Sequence, residues 1–205
     1  MTERPSEVQG GEQRDRALEA AITSAPEEPG GYLVYADWLQ LRGEPRGELI
    51  VVQRALATAP RDPTLRAREA ALFAAHGDRL RGPLAHVGDA RVDWHCGFVR
   101  AIELGDWLAA ASPEELAALL LHASLQFLHR LAGAVGADTV LAPLAEHAPR
   151  TLRWLELSGD IDQLLALRAR LGRLPPRLFG VEHLLINART YRGVAEWLAE
   201  STPPR

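Results

Sequence analysis

Apolar residues in the first third of the chain recur at intervals of three and four, the period of a helix with one buried face. Between Asp15 and Thr23 they are Ala17, Leu18, Ala21 and Ile22, and Pro26, Pro29 and the Gly30-Gly31 pair close the stretch. A second helix is expected from Tyr32 to Arg42, stopped by Gly43, and a third from Arg46 to Ala57, with Pro45 suited to its first turn. Asp62-Pro63 is a cap and first-turn pair for a fourth helix reaching Ala75, with Gly77 just beyond. These four form a helical module over residues 15–82, behind residues 1–14, which read as a disordered leader without the apolar core of a signal peptide.

Beyond Pro83 the period changes. Four short segments share an apolar residue, another three positions later and a third two beyond: Val99–Leu104, Leu125–Arg130, Leu152–Leu157 and Val181–Ile186. Their starts lie 26, 27 and 29 residues apart. Helical stretches fill the gaps. Ser112-Pro113-Glu114-Glu115 reads as a capping box ahead of Leu116, Leu119 and Leu120, and Asp138 is a candidate cap for a helix through Val140, Leu141, Leu144 and Ala145. Further helices are expected over 161–171 and 191–200. Strand followed by helix, repeated, returns the chain to the same sheet edge, so parallel strands near 99–104, 125–130, 152–157 and 181–186 are expected within a repeat region spanning 91–200.

Two resemblances sharpen this picture. Leu33-Val34-Tyr35-Ala36-Asp37-Trp38-Leu39, then Arg42-Gly43-Glu44-Pro45-Arg46-Gly47-Glu48-Leu49-Ile50 and Gln53, resembles the bacterial repeat-companion domain, a short module found ahead of leucine-rich-type repeats. The likeness covers about residues 15 to 57 and implies an accessory or scaffold role. Residues 97 to 200 look like divergent leucine-rich repeats. The Asn expected at the ninth repeat position is replaced by Trp107, Gly133, Asp160 and Arg189, and Arg130 falls where an inward residue belongs. The expected fold class is therefore α/β: an N-terminal helical module capping a short leucine-rich-repeat-like strand-helix arc with a parallel sheet.

Composition agrees with a folded chain of 205 residues, 47% hydrophobic and 24% charged. The net charge of −4 argues against a general nucleic-acid binder. All 23 basic residues are Arg, which reads as coding bias alongside the abundant Ala and Leu. One Cys excludes an internal disulfide and thiolate-rich metal sites, and the seven His show no metal-ligand spacing. No apolar run is long enough to span a bilayer. No cofactor, metal, membrane or nucleic-acid partner is expected, and the compartment expected is the cytoplasm.

Candidate residues fall into two sets. In the helical module, Tyr35 and Trp38 are expected in the core, and Asp37 is expected to pair with Arg42 or Arg46 at the corner between the second and third helices. In the repeats, the period of two places Ala101, Phe127, Trp154 and His183 in one outward row and Glu103, His129, Glu156 and Leu185 in the next. Outward Phe127 and Trp154 imply either a partner's footprint or cover from the N-terminal helices. The function expected is protein binding or scaffolding without catalysis. Alternatives are a regulatory subunit or inhibitor occluding another protein's active site, and an enzyme using Asp37, Arg46 and His95 at the module boundary. Cys96 is expected to be structural, because His95 beside it on a strand would point to the other face.

Overall fold

The computed structural model describes residues 14–135, 141–160, 162, 164, 165, 168, 181–187 and 189–199. Four helices come first: α1 (Arg16–Ser24), α2 (Pro29–Gln40), α3 (Pro45–Thr58) and α4 (Pro63–Arg81). Asp15 caps α1 by accepting from the amides of Ala17 and Leu18, and Asp62 caps α4 through Thr64 and Leu65. Two boundaries differ from expectation. The α2 helix starts at Pro29 rather than Tyr32, because a first-turn proline needs no amide partner and Gly31 lies close against Ile22 of α1. The α4 helix runs past Gly77, with a kink at His76, and stops at Gly82, whose φ of +51° leaves the helical region.

A 3-10 turn (Gly82–His86) leads into a hairpin of β1 (Arg91–His95) and β2 (Phe98–Glu103), joined by the two residues Cys96 and Gly97. Both carry positive φ, 47° and 78°, as a type I′ hairpin turn demands. The chain continues through α5 (Trp107–Ala110), α6 (Pro113–Leu121), a 3-10 turn (Ala123–Leu125), β3 (Arg130–Ala134), α7 (Leu141–His147), β4 (Trp154–Ser158), β5 (His183–Ile186), β6 (Arg189–Tyr191) and α8 (Val194–Ala199). The expected capping box is in place, Ser112 and Glu115 each satisfying the other's amide at the start of α6. Asp138 and Val140 lie outside the described residues. Of the helix expected over 161–171, Asp162, Leu164, Leu165 and Arg168 are described, and all four are helical.

The strands form one sheet in chain order. The pairs β2–β3, β3–β4 and β4–β5 are parallel, while β1 and β6 are antiparallel edges. Three expected strands fall within two residues of their places. The second does not: residues 123–125 form a 3-10 turn and the strand begins at Arg130, aligned with Ala101 of β2 and Trp154 of β4. The inward positions of β3 are then Leu131 and Gly133, with Val135 just beyond the strand also in the core, rather than Leu125 and Leu128, which pack into the core from the connection ahead of the strand. Tyr191, expected to begin the last helix, closes β6 instead. Asn187, also at positive φ, exchanges two hydrogen bonds with the Gly159 backbone, tying together the turns that follow β4 and β5.

The main core lies between the sheet and its helices, built from Ile102, Leu116, Leu131, Leu155, Leu184, Trp197 and their neighbours. A second cluster joins the N-terminal helices to the sheet: Ile22, Tyr32, Tyr35, Leu39 and Ile50 meet Cys96, Phe98 and Phe127. A third holds α3 to α4 through Leu49, Val52, Leu72 and Leu80, with Phe73 packed on Trp94 of β1. Among the described residues no helix is long and apolar enough to cross a membrane.

Candidate functional site

The open face of the sheet carries two outward rows. The first runs Ala101, Arg130, Trp154, His183 and the second Glu103, Ala132, Glu156, Leu185, each set aligned strand to strand. Six of the eight positions agree with the sequence-derived rows. Phe127 and His129 are displaced by Arg130 and Ala132, because the second strand pairs in a register three residues later than its apolar pattern implies. Arg130, out of place as an inward residue, was the one sequence signal of this shift.

Trp154 is 38% exposed, and its ring stacks on His183 with centroids 4.0 Å apart and planes 22° from parallel. Ion pairs surround it. Arg130 binds Glu156 at 2.7 Å, Arg153 binds Glu182 at 3.1 Å, and Arg91 lies 3.6 Å from Glu103 at the β1 edge. A shallow trough beside the indole is lined by Asp93, Arg100, His129, Arg130 and Leu185. The face therefore presents one flat aromatic pair flanked by charges of both signs. Such a surface suits a polar partner that can bury an aromatic anchor.

Phe127 belongs to the seam with the helices. It is buried, edge-on to Tyr32 at 5.8 Å and to Phe98 at 4.8 Å. The alternatives left open by the sequence thus divide: the helices cover Phe127, and Trp154 remains outside. His129 lies near this seam, where burial and the Arg100 guanidinium lower its pKa. Arg100 is itself bound to Glu27 at 2.7 Å across the seam.

The pairing expected for Asp37 does not form. Asp37 is exposed on the outer side of α2, whereas Arg46 is buried and turns the other way, toward the hairpin. Its guanidinium donates to the Gly97 carbonyl at 2.6 Å and the Leu80 carbonyl at 3.4 Å, and lies over the Phe98 ring. Gln53 completes the clasp by accepting from the Gly97 amide at 2.7 Å. Arg42 also leaves Asp37 alone, lying 3.9 Å over the Trp38 ring and donating to the Trp38 carbonyl. Tyr35 is core as expected, stacked between Trp38 and Phe98, with its hydroxyl donating to Glu19 at 3.1 Å. The motif residues thus build the helix-sheet joint, and the clasp on Gly97 was invisible to spacing because its partners are 44 and 51 residues apart.

Cys96 and His95 are closer than strand alternation implies, with Sγ 3.6 Å from Nε2. Alternation does not apply because Cys96 occupies the turn at positive φ rather than the strand. Burial nevertheless raises the thiol pKa, and burial together with Arg100 lowers that of the imidazole. Both groups are held neutral, the opposite of the thiolate-imidazolium pair that a cysteine nucleophile needs. Among the described residues no group of three or more His, Cys, Asp or Glu is arranged to hold a metal ion. Neither a protein-family model, nor a curated protein, nor a solved structure matches this chain.

Proposed function

We propose that the protein is a non-enzymatic interaction or scaffold module that recognises another protein through the open face of its sheet. The carrying observation is the exposed Trp154–His183 stack, set among the Arg130–Glu156 and Arg153–Glu182 pairs on the parallel centre of the sheet. A large aromatic ring held at the surface by a neighbour loses little conformational freedom on binding, and paired charges around it form a polar rim that fixes orientation. The N-terminal helices serve this surface by docking on the hairpin end of the sheet, burying Phe98 and Phe127 and leaving the face beyond them open. That division of labour fits the accessory role implied by the repeat-companion resemblance.

The test compares capture of the native partner from source-cell extract by immobilised wild type, Trp154→Ala and Leu41→Ala, the last altering an exposed apolar side chain on α2. Wild type and Leu41→Ala are expected to retain the same protein stoichiometrically, and Trp154→Ala to lose it while keeping its circular dichroism spectrum. Equal recovery by the folded Trp154 variant overturns the assignment.

A further inference from the structure

The outer side of α2 carries apolar side chains that the fold leaves uncovered. Tyr32, Tyr35, Ala36 and Leu39 bury the inner side of the helix. On the other side Leu33, Val34 and Leu41 are 39%, 55% and 85% exposed, with Asp37 between them, at the three-four spacing of a single helix face. Among the described residues seven large apolar side chains are exposed. Three of them lie on α2 and its C-cap, and Val51 of the adjoining α3 is a fourth. Such a concentration marks an association surface, in contrast to the single exposed leucines scattered over any folded chain.

The charges on this face identify what covers it. Asp37 and Arg42 are both exposed, and neither forms an ion pair among the described residues. Arg42 reaches back one turn, donating to the Trp38 carbonyl at 3.1 Å and lying 3.9 Å over the Trp38 ring, so its charge rests at the height of Trp38. On one helix Asp37 and Arg42 cannot meet, because five residues turn their side chains about 140° apart. Across a two-fold axis they can. When two α2 helices pack antiparallel with Val34 of one copy level with Leu41 of the other, Asp37 stands level with the other copy's Trp38, where the Arg42 guanidinium lies. A foreign partner would have to supply both an anion and a cation at this spacing, whereas a second copy carries both by symmetry. We infer that the protein associates into a two-fold dimer through the outer face of α2, with two Asp37–Arg42 ion pairs near the axis and Val34–Leu41 contacts on either side. The contact makes no use of Trp154 or the sheet face.

The test is sedimentation equilibrium of the full chain over about 2 to 400 µM, a range set by the small contact that one helix of about 18 Å can make. The average mass is expected to rise from one chain to two with a Kd on the order of 10 µM. Leu41→Asp, Asp37→Arg and Arg42→Asp are each expected to weaken association tenfold or more, because a two-fold contact contains every substitution twice. The double variant Asp37→Arg/Arg42→Asp restores opposite charges and should return to within about threefold of wild type. The two single charge changes move the net charge in opposite directions, so only a specific pairing weakens with each and recovers with both. Trp154→Ala should dimerise as wild type does. All the altered side chains are exposed, and circular dichroism checks that each variant folds. A chain monomeric at every concentration, a dimer that Leu41→Asp leaves intact, a dimer lost in Trp154→Ala, or a double variant as weak as the single ones overturns the proposal.

Discussion

Replacing Gly97 with Ala probes the clasp that holds the N-terminal helices to the sheet. The residue sits at φ +78°, and a Cβ built there lies 2.6 Å from Ile50 Cγ1, 3.2 Å from Arg46 Cγ and 3.3 Å from the Arg46 carbonyl oxygen. Left-handed backbone alone costs an alanine about 1 kcal/mol. The contacts add about 2 kcal/mol, the middle of the range for overpacking, because Ile50 and Arg46 are fully buried and the helix must shift to admit the methyl. The expected loss is therefore about 3 kcal/mol, which for a chain of this length lowers the melting temperature by about 6 to 12 °C. Urea unfolding followed by tryptophan fluorescence measures it, with two controls. Gly105 has φ +52° and open space around its Cβ, so its alanine variant should lose only about 1 kcal/mol, the backbone share. Gly88 has neither constraint and should be nearly silent. A Gly97→Ala loss equal to that of Gly105→Ala would refute the view that the turn is seated tightly against α3.

Three further outcomes are expected. Phe127→Ala should cost about 3 to 4 kcal/mol, as for a buried aromatic in a ring cluster, whereas Trp154→Ala should cost about 1 kcal/mol; similar losses in denaturant melts would place the two rings in similar surroundings, contrary to the structure. The lowered pKa values of His95 and His129 make the unfolded chain take up protons first on acidification. Stability should be full above the unfolded value of about 6.5, fall as the pH drops through it, and level off below the folded values. The double variant His95→Gln/His129→Gln should flatten that fall, and an unchanged pH profile of the urea midpoint counts against the seam as its source. Burial and the raised pKa of Cys96 should make the native thiol react slowly with a disulfide reagent at pH 7, accelerating sharply in urea, and rapid labelling of the folded chain would contradict this.

The helical module was legible because its signals are local. Proline first turns, Asp caps and the three-four apolar period sit within a few residues of the helices they specify, and errors of element boundary arose where one residue type has two uses. Gly30-Gly31 reads as a breaker but lies in the first turn of α2, where Gly31 lets α1 come close. Leu125 and Leu128 carry the apolar spacing of a strand yet fill the core from a turn, since burial constrains side-chain volume more than backbone conformation. The edge strands β1 and β6 have neither a repeat partner nor a strong alternation, and only their pairing with β2 and β5 defines them.

The sequence by itself determined the four N-terminal helices, the strand-helix alternation at the parallel centre of the sheet, and most of the outward rows, all of which follow from short-range periodicity and capping chemistry. Tertiary structure decided which aromatics face water. Phe127 and Trp154 stand at equivalent places in the apparent repeat, yet one is packed beneath Tyr32 and the other is open beside His183. It likewise turned Arg46 away from Asp37 toward the Gly97 carbonyl, 51 residues on. Both outcomes depend on how a separate module seats on the hairpin, and periodicity along a chain carries no information about contacts between elements so far apart in it.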